Sequence, residues 1–399
     1  MSKLPRPVVL FGLVSLFNDF ASEMIYPLLP AFVTTVLGGG ALSLGALDGA
    51  AEFAASFVKF GAGRLADAPR RRGGLVILGY LVAVLVRPVI AFTGAAWQVI
   101  GLRVTDRVGK GIRTPPRDAL IADVTPPAQL GRAFGFQRGL DHAGAVLGPL
   151  VAWGLLSRRT LDVRGVIEAS WIPGIVVLVL AIWAVGDGKR REKADEGGRG
   201  RTGPDRGGPD PASSGFVRPR PALLAISAFY LLRMPETLLL LRTQQLGVSV
   251  SSVLLLWAAL HVVRSFTSFV GGSLSDRFGP LRTMWLGWVC YAAIAVGFAL
   301  EGSAPAAWGL FLVLGTVAGL TESPERAIVS GLAGMKQGSG FGSYHAATGM
   351  AALAGGLLLG TLYQTRGAPL AFIVSAAGVT LAAVWVAAAA RRRAAPVTS

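Results

Sequence analysis

Long apolar runs alternate with short polar segments along the whole chain. A helix needs about 20 apolar residues to cross the hydrocarbon core of a bilayer. Runs of that kind lie at 8–34, 43–64, 74–93, 96–122, 132–156, 167–185, 221–243, 250–273, 283–300, 306–332, 340–363 and 369–390. They are rich in Ala, Leu and Gly and lack the alternation that marks transmembrane strands. The pattern predicts an all-α membrane protein with twelve transmembrane helices.

The polar segments differ in their content of Lys and Arg, which sets the expected orientation. Segments that face one side carry most of the basic residues, whereas the first, third and ninth loops, which face the other side, carry none. Cytoplasmic loops are enriched in Lys and Arg. We therefore expect a multi-pass protein of the cell (inner) membrane with both termini in the cytoplasm. The loop between helices five and six, with Arg158, Arg159 and Arg164, departs from this rule.

Composition narrows the class of protein further. Hydrophobic residues make up 52% of the chain and charged residues 15%, whereas about a quarter of the residues of an average soluble domain are charged. The formal net charge of +16 would suggest nucleic acid as the partner of a soluble protein, but the basic residues lie between apolar runs, which fits membrane orientation. Cys290 is the single cysteine, so neither an intrachain disulfide nor a cysteine-built zinc site is possible.

Sequence motifs of enzymes are missing as well. The chain has no Walker lysine loop, no HExxH and no GxSxG, which argues against a membrane enzyme or an ATP-driven pump. We expect a monomer whose partners are the lipid bilayer, protons and a small-molecule substrate, and not nucleic acid. No metal and no cofactor other than a proton gradient is expected.

The chain also contains an internal repeat. GRLADAPRRR, which begins at Gly63, aligns with GSLSDRFGPLR, which begins at Gly272, at an offset of 209. Helices four and ten align GIRTPPRDALIADV with GLTESPERAIVSGL at an offset of 208, and helices five and eleven align AFGFQR with GFGSYH at 207. Transporters built from two such repeats bind their substrates between the halves, near the bilayer midplane.

The repeat predicts two pseudo-symmetric six-helix bundles. Between them lies a polar Gly/Pro/Arg-rich stretch with no apolar periodicity, which is typical of a flexible linker. The predicted parts are an N-terminal bundle (1–185), a cytoplasmic linker (186–220), a C-terminal bundle (221–390) and a cytoplasmic tail (391–399).

The repeated segment after helices two and eight resembles the signature G-x-x-x-D-R-x-G-R-R of the major facilitator superfamily, although Ala68 stands where Arg or Lys is usual. The resemblance implies the major facilitator fold, and a cytoplasmic latch in which a carboxylate at a helix end binds backbone N–H groups or an Arg. Asp123 resembles a further acidic partner of that latch. The expected latch residues are Gly63, Asp67, Arg71, Asp123, Gly272, Asp276 and Arg277.

Charged residues inside the predicted spans mark the candidate transport site. A charge at mid-membrane costs about 3 kcal/mol on insertion scales, so it usually faces protein or a wet cavity. Asp19 and Glu23 lie four residues apart on one face of helix one, and we expect one of them to carry the transported proton. Permanent structural ion pairing of both is the alternative, and Glu52 in helix two is the next candidate. Arg103 resembles the helix-four arginine that the superfamily associates with proton coupling.

Other polar side chains on several spans are candidates for lining a substrate cavity. The many Arg and Lys residues would suit a substrate with a carboxylate or phosphate, and the aromatic residues would suit an amphipathic molecule. The candidates are Asn18, Tyr26, Arg87, Arg107, Lys110, Arg138, Asp141, His142, Arg233, Glu236, His261, Arg264, Glu322 and His345.

Helix five carries the spacing G-x8-G-x3-G-P at Gly135, Gly144, Gly148 and Pro149. This spacing resembles a motif of drug/proton antiporters of the superfamily, although the glycine pair that follows in the family is Ala-Trp here. The resemblance implies proton-coupled efflux of small amphipathic or anionic organic compounds by alternating access. Two alternatives stay open, namely a proton symporter or facilitator that imports a metabolite, and a non-transporting membrane scaffold or receptor.

Overall fold

A computed structural model describes residues 4–66, 69–126, 129–198, 221–333 and 337–394. These residues are almost entirely helical, and no strand is found among them, which confirms the predicted all-α class. The long helices are α1 (Arg6–Ile25, continued by short turns to Val36), α2 (Ala41–Ala66), α3 (Pro69–Val89), α4 (Ala96–Asp123), α5 (Leu130–Ser157), α6 (Trp171–Gly198, preceded by the short helix Val163–Ala169), α7 (Pro221–Leu232 and Glu236–Gln245), α8 (Val250–Phe278), α9 (Pro280–Leu300), α10 (Ala304–Ala333), α11 (Gln337–Arg366) and α12 (Ala368–Ala394).

Eleven of these helices in the described part of the chain are long and apolar enough to cross a membrane. The twelfth, α4, is long enough but carries too many charged residues to qualify by composition. Large apolar side chains such as Ile172, Phe266 and Leu381 cover the outer surface, as expected of a face that meets lipid rather than water. The protein is therefore a multi-pass membrane protein in which α4 depends on its neighbours to neutralise its charges.

The two sets of six helices pack in the same pattern. In the first set α1 packs on α5 and α6, and α4 on α2 and α3, while in the second set α7 packs on α11 and α12, and α10 on α8 and α9. Glycines at repeat-related positions make these contacts. A methyl group built on Gly111 of α4 would lie 2.8 Å from Val58 of α2, and one on Gly319 of α10 would lie 2.5 Å from Thr267 of α8. The sequence repeat is thus a repeat of helix packing.

The two halves meet most tightly where α2 lies against α11. A methyl group built on Gly45 would lie 2.0 Å from the carbonyl oxygen of Gly356, and one on Gly356 would lie 2.2 Å from the carbonyl oxygen of Gly45. Nearer the 37–40 loop, the side-chain oxygen of Gln364 accepts a hydrogen bond from the Leu42 N–H at 3.0 Å. Backbone therefore packs directly on backbone here, and this end of the molecule, called the closed end below, is sealed.

Among the described residues, the helices that line the boundary between the halves do not seal the opposite end. A methyl group built on Gly61 in α2, Gly135 in α5 or Gly272 in α8 would touch nothing within 4 Å. The start of α1 at Arg6 and the end of α2 at Ala66 lie at this end, because α1 and α2 run in opposite directions between it and the closed end.

Helices extend into the predicted linker and into the predicted tail. The sixth helix continues to Gly198, so the first part of the predicted 186–220 linker is helical, and residues 199–220 lie outside the described residues. The last helix likewise continues to Ala394, inside the predicted tail.

Candidate functional site

A cavity of about 730 Å³ lies between the two sets of helices, bordered by the closed end. Its described lining contains eight acidic and eight basic residues, together with tyrosines, histidines and threonines. The acidic residues are Glu23, Asp48, Glu52, Asp118, Asp141, Glu236, Glu322 and Glu325. The basic residues are Lys59, Arg103, Arg107, Lys110, Arg117, Arg138, Arg233 and Arg264. So polar a lining suits a charged or strongly polar solute better than a purely apolar one.

Two carboxylates join the halves where the cavity meets the closed end. Asp48 accepts hydrogen bonds from the Tyr26 hydroxyl at 2.9 Å, and from the hydroxyl and backbone N–H of Thr237 at 2.9 and 3.0 Å. Glu23 of α1 accepts a hydrogen bond from the indole N–H of Trp257 in α8 at 2.9 Å, and the Nε2 atom of His261 lies 3.8 Å from the same carboxylate. Separating the halves at this end would therefore break several hydrogen bonds to charged acceptors.

Cationic side chains on α4 form a stripe along the cavity. Arg103, Arg107, Lys110, Thr114 and Arg117 recur every three or four residues, which places them on one face of the helix, and all five line the cavity. At 1.5 Å per residue the stripe is about 21 Å long, from the closed end toward the open end.

Residues on the flank of this stripe hold the first set of helices together. Asp106 forms buried ion pairs with Arg87 at 2.9 Å and with Arg103 at 3.3 Å. Arg87 also donates to the backbone oxygen of Asn18 at 3.0 Å, and Arg113 donates to the Asn18 side-chain oxygen at 3.2 Å. This network joins α1, α3 and α4, and it neutralises charges that would otherwise be buried unpaired.

The second set of helices contributes pairs of its own. Glu236 forms an ion pair with Arg264, and Glu325 accepts hydrogen bonds from the hydroxyls of Tyr230 at 3.2 Å and Tyr344 at 2.9 Å. Toward the open end, Arg138 of α5 lies 3.9 Å from Glu322 of α10. Because both side chains are half exposed, this link between the halves contributes little to their association.

Most of the candidate residues come together in the cavity. Tyr26, Glu23, Glu52, Arg103, Arg107, Lys110, Arg138 and Asp141 line it from the first half, and Arg233, Glu236, His261, Arg264, Glu322 and His345 from the second. The lining does not include Asn18, Asp19, Arg87 or His142. Asn18 and Arg87 belong to the buried network, and Asp19 accepts a hydrogen bond from Asn18 at 2.9 Å.

Several lining residues were not among the sequence candidates. Asp48 precedes Glu52 by one helical turn and Lys59 follows it by two, so their shared face was a usable signal. Glu325 stands beside Pro324, which the repeat aligns with Pro116, but a buried glutamate whose partners are tyrosines on two other helices has no local signature.

The predicted latch lies at the open end. Arg72 of α3 forms an ion pair with Asp123 at the end of α4, so Asp123 contacts the repeated segment that follows α2. Asp67 lies outside the described residues, and Gly63 lies in the last turn of α2. Arg71, Asp276 and Arg277 are exposed, and α8 ends at Gly279, whose φ of +87° favours glycine. Among the described residues, the ion pair of Asp123 is confined to the first half.

Two of the motif glycines on α5 pack against α1. A methyl group on Gly144 would lie 2.1 Å from the carbonyl oxygen of Leu16, and one on Gly148 would lie 2.3 Å from that of Phe20. Pro149 is buried beside them within the helix. Gly135, by contrast, has open space around it. Gly144 and Gly148 of the motif therefore form a tight helix contact, whereas Gly135 has no close neighbour.

Comparison with known proteins identifies the family. The chain is 28% identical over 382 residues to an MFS-type transporter of Methanocaldococcus jannaschii, covering 91% of this chain and 89% of that protein. It is 29% identical over 162 residues to the multidrug resistance protein MdtH of Photorhabdus laumondii, covering 40% and 38%. The crystal structure of a bacterial homolog of the human lysosomal transporter Spinster, inward-facing and unoccupied, matches with a TM-score of 0.72 at 17% identity over 96% of each chain. The family model described as Major Facilitator Superfamily matches residues 11–344, and the chain belongs to that superfamily of membrane transporters.

Proposed function

We propose that the protein is a proton-coupled secondary transporter that exports small organic compounds across the cell (inner) membrane by alternating access. The observation that carries the proposal is a charged cavity between two similar sets of helices, which the described residues seal at one end only. With both termini in the cytoplasm, as the basic loops indicate, the cavity faces the cytoplasm, where an exporter binds its cargo.

Two observations support export. The α5 glycines at positions 144 and 148 pack on α1 at the spacing that resembles the antiporter motif. The similarity to MdtH, a multidrug resistance protein, points the same way, although it covers 40% of this chain.

Glu52 is the proton site that we propose within the cavity. Its side chain is exposed to the cavity, and it forms no ion pair with another described residue. A carboxylate that carries protons across the membrane must be accessible to water on each side in turn, because it gains a proton on one side and loses it on the other. Glu23 is already bonded to Trp257, and Asp19 is not part of the lining.

Proton symport is a second candidate, and the surroundings of Glu52 favour it. Lys59, Arg107, Lys110 and Arg233 all act electrostatically on this carboxylate. An anionic cargo would compete with ionised Glu52 for these cations, so it would bind best when Glu52 is protonated and would then move with the proton. A cargo that instead displaces the proton from Glu52 would move in the direction opposite to the proton, as in antiport.

Transport assays in everted vesicles and liposomes test the proposal. A thermal-shift screen of the purified protein against metabolites and antibiotics first supplies a bound compound. We expect that compound to move protons across the membrane, against its own direction in antiport and with it in symport. Binding without flux would overturn the proposal in favour of a receptor or scaffold.

The proton site is tested with a matched pair of variants. Glu52→Gln should lose proton movement but keep the exchange of labelled for unlabelled compound, because only the titratable group is removed. Glu168→Gln removes an exposed carboxylate outside the cavity and should behave like the unmodified protein. Proton movement at the normal rate in Glu52→Gln would contradict the assignment of this residue.

A further inference from the structure

The α4 stripe belongs to a cavity lining in which more cations than carboxylates are free to bind a ligand. Six of the eight lining carboxylates have a partner: Asp118, Glu236 and Glu322 pair with arginines, and Glu23, Asp48 and Glu325 accept hydrogen bonds. The remaining two are Glu52 and Asp141, for which the described residues supply no ion pair.

Four lining cations are left without an ion pair among the described residues, namely Lys59, Arg107, Lys110 and Arg233. The lining as a whole has no excess charge, since it contains eight acidic and eight basic residues, but four cations and two carboxylates are left free to bind a ligand.

These four cations line the same cavity as Glu52, although they come from α2, α4 and α7. Arg107 and Lys110 are neighbours on the α4 stripe, three residues apart. Arg233 lies between the two parts of α7, with its guanidinium 5.4 Å from the ring centre of Tyr230. Glu52 thus lies in one cavity with cations from both halves that have no ion pair among the described residues.

We propose that the cargo of this transporter carries an anionic group, a carboxylate or a phosphate, which binds Arg107 and Lys110 from the first half and Arg233 from the second. The planar guanidinium groups suit the two oxygens of such a group, and the Tyr230 ring beside Arg233 supplies a surface for an organic body. The inference rests on the proposed function only in taking the cavity as the cargo site, and with Glu52 as the proton site it favours symport over antiport.

A thiol placed on the stripe measures the local potential without a known substrate. Thr114 lies between Lys110 and Arg117 in the cavity lining, and Thr114→Cys in a Cys290→Ser background gives one reactive thiol. Its reaction rate is measured with a methanethiosulfonate that carries a sulfonate and with one that carries a trimethylammonium group. Charged clefts change the encounter rates of ions by about tenfold or more, so we expect the anionic reagent to gain about tenfold over the cationic one.

Thr35→Cys is the matched control. Thr35 is exposed in a stretch without charges, and its hydroxyl donates to the backbone oxygen four residues back at 2.6 Å, as that of Thr114 does at 2.7 Å. The tenfold preference is defined relative to this position. Equal preferences at the two positions, or a preference for the cationic reagent at Thr114→Cys, would overturn the proposal.

Charge variants identify the source of the potential. Arg107→Gln and Lys110→Gln should each lower the preference for the anionic reagent severalfold, whereas Glu52→Gln should raise it. A change in helix packing alone would not lower the preference in the two cation variants and raise it in Glu52→Gln. No change in the two cation variants would remove Arg107 and Lys110 from the site.

Protection of the Thr114→Cys thiol then tests binding itself. Benzoate and phenyl phosphate should slow its modification at concentrations where benzyl alcohol does not, and the better protector distinguishes carboxylate from phosphate. Absence of any preference for the anions over the alcohol would overturn the proposal. The proposed function fails separately, when a bound compound produces no flux, so the two failures are distinguishable.

Discussion

The contact between Gly45 and Gly356 makes the seal at the closed end sensitive to one methyl group. In Gly356→Ala the added carbon would lie 2.2 Å from the carbonyl oxygen of Gly45, whereas carbon and carbonyl oxygen ordinarily approach to about 3.3 Å. The two helices must therefore separate by about 1 Å. Overpacking of this kind costs about 1–3 kcal/mol, and that cost falls on the closed conformation, because α2 and α11 separate when this end opens.

Such a cost shifts the balance between the two conformations by roughly 5- to 150-fold toward opening at this end. Ala41, buried at the start of α2, is a suitable reporter as Ala41→Cys in a Cys290→Ser background. A membrane-impermeant maleimide applied from the side of the 37–40 loop should label this thiol at least about fivefold faster when Gly356→Ala is added.

A glycine without close neighbours provides the control. Gly154 lies on α5 with nothing within 4 Å of an added methyl group, so Gly154→Ala should leave the labelling rate unchanged. An unchanged rate in Gly356→Ala, with the thermal unfolding midpoint also unchanged, would refute the reasoning that the Gly45 contact holds the end closed.

Two further pairs of variants test the buried ion pairs of Asp106 and the packing of the α5 glycines. Asp106→Asn leaves the buried arginines that it pairs uncompensated and should cost about 3–5 kcal/mol of stability, seen as a lower unfolding midpoint, whereas Asp118→Asn, half exposed, should cost less than about 1 kcal/mol. An equal effect of the two would contradict the distinction. Gly148→Ala should loosen the packing of α5 on α1 and reduce transport, whereas Gly135→Ala should not, because only Gly148 has backbone within 2.3 Å of the added methyl group; loss of transport in Gly135→Ala would point to another role.

The helices could be predicted from sequence because each apolar run exceeds the thickness of the bilayer, and the runs agree with the observed helices to within a few residues for most spans. The exceptions have a physical reason. Where α6 continues to Gly198, the sequence KRREKADE is polar but contains good helix formers, and a hydropathy pattern does not report helix outside the apolar region.

The cavity lining was harder to predict. A charged residue within a span is expected to avoid lipid, but its position in the sequence does not show whether it faces the cavity or the interior of one set of helices. Arg87 and Asn18 looked like lining residues but pack inside the first set of helices, next to Asp106. The partners of Glu23 come from the second half, and such contacts depend on how the halves meet, which no local pattern encodes. The α4 stripe, in contrast, follows from helical spacing alone.

The charges of α4 also bear on how the chain enters the membrane. Between Arg103 and Asp118 it carries seven charged residues, each opposing insertion at the helix centre by about 3 kcal/mol. A helix of this kind is a poor substrate for the translocon by itself. Arg87 of α3 pairs with Asp106 of α4 and so supplies a counter-charge from the preceding helix. We therefore expect α3 and α4 to enter the lipid together as one hairpin during biogenesis. In that case α3 stays at the lateral gate of the translocon until α4 has been synthesised.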